Sequence, residues 1–171
     1  MQGAMSQLQM LYVPEEDRIL FRVNTTVRQQ FRFWLTRRYS ILLLKVLQDH
    51  LESDPDITTQ GSPEAKEAVK TFKQEKAMTS ANFKEQFDES ANELPLGQDI
   101  PVAFKLTYNL NEGNLSIGIE PREGQGINMA IDRNINVSMT SLLLAAAQKG
   151  EWRLAEMGVI SQPHQDNIVI N

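Results

Sequence analysis

Ile19-Leu20-Phe21-Arg22-Val23-Asn24, followed by Phe31-Arg32-Phe33-Trp34-Leu35-Thr36, is the stretch on which the fold turns. In both runs apolar residues alternate with more polar ones: Ile19, Phe21 and Val23 on one face, then Phe31, Phe33 and Leu35. That is the period-2 mark of half-buried strands. Upstream, Leu8, Met10 and Tyr12 alternate in the same way until Pro14-Glu15-Glu16-Asp17 interrupts them as a turn. Downstream, the Thr36 hydroxyl can cap a helix. Residues 39–51 lack Gly and Pro and carry Ile41-Leu42-Leu43-Leu44 with Val46 and Leu47, a helix apolar on more than one side. Three strands joined by short turns predict an antiparallel meander, closed by a helix.

The same order recurs 96 residues later without a gap. Phe104, Leu106 and Tyr108 fall on Leu8, Met10 and Tyr12. The turn at Asn111-Glu112-Gly113-Asn114 falls on the first turn. Leu115, Ile117 and Ile119 match the second strand, and Ile127, Met129 and Ile131 the third. Asp132 falls on Thr36 as a cap and Arg133 on Arg37. A helix follows through Met139, Leu142, Leu143, Leu144 and Ala147 to a stop at Gly150. Identity is confined to five of forty positions, so the argument rests on strand faces, turns and caps falling in phase.

Between the copies, 54–61 reads as a polar linker. Ser62 then caps a helix with Pro63 at its first position. Ala65, Ala68, Val69, Phe72 and Lys76 make its inner stripe, and it ends near 78–81. Residues 83–93 read either as more helix or as an acidic loop anchored by Phe83 and Phe87. Residues 152–156 are expected to run extended against the core, and 161–171 to form a tail. The expected fold class is therefore α+β: two βββα units related by an internal pseudo-repeat, with a third, connecting helix. All 171 residues form a single domain, with repeat 1 at about 8–51, the linker helix at about 62–81 and repeat 2 at about 102–150. Neither meander buries enough surface to stand alone.

Composition is that of a globular protein, 41% hydrophobic and 23% charged. The absence of cysteine excludes disulfides, thiolate nucleophiles and Cys-ligated metals, and suits a reducing cytoplasm. No run approaches the roughly 18 apolar residues of a membrane span. No catalytic residue, cofactor or metal ligand is expected from the motifs. His50, in a last helical turn, suits the helix dipole, and His164 reads as a surface residue. Gly124-Gln125-Gly126 lies between strands, whereas a dinucleotide fingerprint opens a helix.

One constellation stands out. Arg22, Arg32 and Trp34 share the outward face of the second and third strands, Arg28 lies in the turn between them, and Arg37 and Arg38 open the first helix. Guanidinium groups beside an aromatic suit a single-stranded nucleic acid or an anionic partner. The net charge of −5 and a pI near 5.1 weigh against nucleic acid. Residues 1–50 carry a balance of +3 and residues 51–100 one of −6, so Asp88, Glu89 and Glu93 are ready internal partners for these arginines. Arg37 and Arg133 each stand in a first helical turn, where a cation needs a carboxylate or an incoming anion beside it.

The segments 17–25 and 31–38 resemble a stretch that recurs in uncharacterised bacterial proteins of similar size. The resemblance implies a bacterial cytoplasmic protein and no particular activity. The expected function is non-catalytic: a protein-interaction or scaffold protein, acting on a protein partner or as a homo-oligomer. The alternative is a nucleic-acid or anionic-ligand binder working through the arginine face, and third a small enzyme.

Overall fold

The structure, a computed structural model, describes residues 3–80, 86–90 and 93–154. It is α+β, with two three-stranded antiparallel sheets and four helices. The first sheet is β1 (Met5–Val13), β2 (Arg18–Thr25) and β3 (Gln30–Leu35), in that order across the sheet. It is followed by α1 (Arg37–Glu52), the short α2 (Pro55–Thr58) and α3 (Pro63–Ser80). The second sheet is β4 (Ala103–Asn111), β5 (Asn114–Pro121) and β6 (Ile127–Ile131), followed by α4 (Arg133–Lys149). Thr36 and Asp132 cap α1 and α4 as their side chains suggest, accepting from the backbone N–H groups of Tyr39 and Ile135.

The two sheets share a register. Ile19 pairs with Leu35, Phe21 with Phe33 and Val23 with Phe31; 96 residues on, Leu115 pairs with Ile131, Ile117 with Met129 and Ile119 with Ile127. The first strands depart from the gapless match. Leu11 faces Leu20 in the first sheet, but Asn109 faces Ser116 in the second, so β4 corresponds to β1 at an offset of 98. The cause is the hairpin turn. Residues 14–17 make a four-residue loop with Asp17 at φ 48°, whereas Glu112 and Gly113 make a two-residue loop with φ 50° and 79°, the type I′ geometry. A shift of two keeps every side chain on its face. It also brings the two irregularities into correspondence: Met5/Gln7 against Thr25/Asn24, and Ala103/Lys105 against Pro121/Glu120. Tyr108 thus corresponds to Met10, not to Tyr12.

Each helix reaches across to the other sheet. Helix α1 packs on β4, α4 packs on β1, and the two helices touch. One apolar cluster results, with Phe21, Phe33, Leu43 and Leu47 from the first half and Ile117, Ile119, Met139 and Leu143 from the second. Trp152 and Leu154 are buried in it beyond α4, and Trp152 meets Tyr12 edge-to-face at 5.8 Å. The sheets touch edge to edge through a single bridge, where the Trp34 N–H donates to Pro101 O at 2.9 Å and Trp34 pairs with Val102.

Two expectations about the connection change. The polar linker contains the helix α2, capped by Asp54 and holding Ile57 buried. Helix α3 is described as far as Ser80, and it is turned about its axis relative to the expected stripe: Ala77 is buried against Leu51 and Val137, and Phe72 is 66% exposed. Lys70 and Lys73 take the inner side because they reach Glu52 and Asp54. Opposite charges on the neighbouring segment thus outweigh the apolar stripe. The expectations for residues 83 and 155–171 lie outside the described residues.

Candidate functional site

The six arginine-face residues divide by their surroundings. Arg22 is enclosed. Its Nη1 and Nη2 donate to the two carboxylate oxygens of Glu89 at 2.6 and 2.8 Å, its Nε donates to Gln9 Oε1 at 2.8 Å, and its guanidinium lies 4.5 Å over the Phe87 ring. This fork holds the Glu89 carboxyl below its usual pKa, chiefly by hydrogen bonding. Arg28 donates to Ser90 O at 3.1 Å, and Arg32 to Gly97 O and Gln98 O at 3.0 and 2.8 Å. Arg22 and Arg32 face each other across β2 and β3. Arg22 meets a carboxylate and Arg32 two backbone carbonyls, on different parts of residues 86–90 and 93–98. Asn24 Nδ2 and Gln29 Nε2 add bonds to Asp88 O and Glu93 Oε2. Trp34 stands at the junction with Val102, and Arg37 and Arg38 are exposed at the start of α1.

Where α1, α2, α3 and α4 meet lies a polar junction that the sequence did not reveal. Asp54, buried at the end of α1, accepts both oxygens' worth of bonds from Lys73 Nζ at 2.8 and 2.9 Å and pairs with Arg133. The first-turn arginine of α4 is therefore compensated from within the chain. His50, four residues earlier, is buried. Its Nε2 lies 2.9 Å from Gly113 O and its Nδ1 2.8 Å from Asn136 Nδ2. Gly113 O can only accept and the Asn136 amide also donates to Leu47 O, so the ring is neutral with its proton on Nε2. Burial, the largest effect, lowers its pKa; the Gly113 bond works the other way. His50 is thus a neutral linker of α1, α4 and the β4–β5 turn, and no cation for the helix end. Among the described residues no three His, Asp or Glu side chains form a metal site, and no helix is long and apolar enough to cross a membrane.

An open apolar surface lies elsewhere, on β4. Strand β4 has a hydrogen-bonded neighbour, β5, on one side only. Tyr108, on its core-side face, is 56% exposed, whereas its counterpart Met10 is 5% exposed; Phe104, at the irregularity between Ala103 and Lys105, is 53% exposed beside the buried Ala103. Between β4 and the first turns of α1 runs a groove of about 450 Å³. Val102, Phe104 and Leu106 line one wall, and Tyr39, Leu42 and Arg38 the other. The Tyr39 hydroxyl reaches Lys105 O at 3.5 Å, and burial raises its pKa well above the usual phenol range. Arg122 stands over the Phe104 ring at 4.9 Å. No carboxylate pairs with Arg38 or Arg122 among the described residues.

Such a groove, an unpaired strand edge beside an apolar floor, is chemistry for holding another polypeptide. The alternation of Phe104, Leu106 and Tyr108 points to a core face. Only the position of α1 shows that this end of the face is left open. No protein-family model, curated protein or solved structure matches this chain.

Proposed function

We propose that this chain is a non-catalytic protein-interaction module, built by duplication of a βββα unit, that holds a polypeptide in the groove between β4 and α1. The observation that carries the reading is that groove: two large apolar side chains exposed on the described surface, Val102 and Phe104, line it, and a third, Tyr108, lies further along the same strand. The common register and the twin irregularities at Met5/Gln7 and Ala103/Lys105 support the duplication, since a chance pairing has no reason to repeat a bulge. An anion-binding role for the arginine face is the weaker reading, because Arg22, Arg28 and Arg32 already donate to Glu89, Ser90, Gly97 and Gln98.

Photocrosslinking in cells tests the proposal. A benzophenone side chain at position 104 should give a discrete protein adduct, which one at position 6, on the corresponding strand β1, should not. Equal labelling, or none, at the two positions argues against the groove as the docking surface.

A further inference from the structure

The molecule contains an internal control for the groove. A second cleft lies at the corresponding place, between β1 and α4, with a volume of about 280 Å³. It is lined by Met5, Ser6, Gln7, Leu8, Asn134, Ile135 and Ser138. Given the offsets of 98 for the first strands and 96 for the helices, Ser6 corresponds to Phe104, Asn134 to Arg38 and Ser138 to Leu42. The same backbone arrangement therefore tolerates small polar groups at three positions where the β4 groove carries a phenyl ring, a guanidinium and an isobutyl group. Folding alone does not require an exposed aromatic and an unpaired cation there. Exposed apolar area costs about 25 cal/mol per Å² left in water.

The electrostatics narrow the occupant. Arg38 lines the groove and Arg122 stands over its Phe104, neither with a carboxylate partner among the described residues, while Glu120 is held by Lys105 Nζ at 3.2 Å. The groove is thus cationic at its rim and apolar on its floor, beside the edge of β4 that β5 does not pair, where Trp34 bridges Val102 and the Tyr39 hydroxyl reaches Lys105 O. We infer that it takes an extended segment of a partner protein, paired to the edge of β4, whose groove-facing residues alternate as two apolar side chains flanked by carboxylates. This rests on the groove being a docking surface at all, and it adds the conformation and the charge of what docks. An added strand rises about 3.3 Å per residue and shows every second side chain to the groove. A seven-residue strand turns four side chains to one face, enough for two apolar residues with an acid on either side. Flanking acids gain from Arg38 and Arg122 by charge complementarity, an effect that is sensitive to salt.

The test uses the full-length chain and a fluorescein-labelled peptide, Asp-Thr-Val-Thr-Val-Thr-Asp, read by fluorescence anisotropy at low salt. Binding should be at least tenfold weaker for the peptide with both Asp replaced by Lys. It should be as much weaker for one whose edge-pairing amides are N-methylated. Arg38→Ala should weaken the Asp peptide several-fold and leave the Lys peptide unchanged. Phe104→Ser, which installs the residue of the corresponding cleft, should abolish binding. Equal binding of the Asp and Lys peptides overturns the charge assignment, and equal binding of the N-methylated peptide overturns strand pairing. A crosslink at position 104 in cells with no binding of any of these peptides overturns the extended acidic occupant while leaving the docking surface intact. A dimer by light scattering that Phe104→Ser converts to monomer overturns it too, by assigning the groove to a second copy of the chain.

Discussion

His50 shows how one side chain can be read correctly for position and wrongly for physics. Its place in the last turn of α1 suggests a cation favoured by the helix dipole. Yet it is buried between Gly113 O and the Asn136 amide, with Arg133 adding repulsion and Asp132 partly offsetting it. Protonation would put a charge in the core and turn Nδ1 into a second donor facing the Asn136 N–H groups. Its folded pKa therefore lies below the unfolded value of 6.5, and the unfolded chain binds the extra proton first. Stability contributed by neutral His50 is complete above pH 6.5 and is lost as pH falls through that value towards the folded pKa. Urea midpoints should drop between pH 7.5 and 5.5, and His50→Gln should flatten that drop while lowering stability by about 1–3 kcal/mol at pH 7.5. An unchanged pH slope in the variant would show that other groups carry it.

At the scale of elements, two carboxylates hold segments in place with different force. Asp54 is buried and ties α2 to both α3 and α4 through Lys73 and Arg133, whose own exposure is about one quarter. Glu89 ties residues 86–90 to β2, but its side chain is 67% exposed. Water screens the second pair and not the first. Asn can still cap α2, so Asp54→Asn isolates the charge. It should cost about 2–3 kcal/mol, between the values for exposed and fully buried pairs, while Glu89→Gln costs less than about 1 kcal/mol. Denaturant midpoints for the two variants would refute this ordering if they fell together. The turned face of α3 has the same origin. The alternation of apolar residues points to Phe72 as an inner residue, but nothing local to α3 reveals that Asp54 lies beneath Lys73.

For the molecule as a whole, the exchange of helices between sheets makes the halves interdependent. Helix α1 packs on β4 and α4 on β1, and one cluster holds the core residues of both halves. Neither half can lose its packing without exposing the other's apolar face, so unfolding should be a single transition. Trp34 reports on the bridge between the sheets and Trp152 on the contact with Tyr12. Single-tryptophan variants, Trp34→Phe and Trp152→Phe, should each give a fluorescence midpoint equal to that from circular dichroism of the same variant. Midpoints that separate would mean that the halves unfold independently.

The six strands, the hairpin turns, the caps of α1 and α4 and those helices were legible along the chain, though α2 was not, because each is set by neighbours in sequence: alternation by the pleat, caps by Thr36 and Asp132, the turn by Glu112-Gly113. The two-residue offset of β4 was hidden, since a shift of two leaves the alternation unchanged and only hydrogen-bonded register distinguishes it. Of the candidate residues, the clustering of arginines on one sheet face was plain from periodicity, as was a central acidic segment able to meet them. Which acids meet which arginines depended on where residues 86–90 and 93–98 lie, and that is a tertiary fact. The groove was the least visible feature. Phe104, Leu106 and Tyr108 carry the same pattern as a buried strand, and a pattern records which face is apolar, never whether a helix covers all of it. That was decided by where α1 and α4 lie on the opposite sheets, with Met10 buried and Tyr108 left in the open.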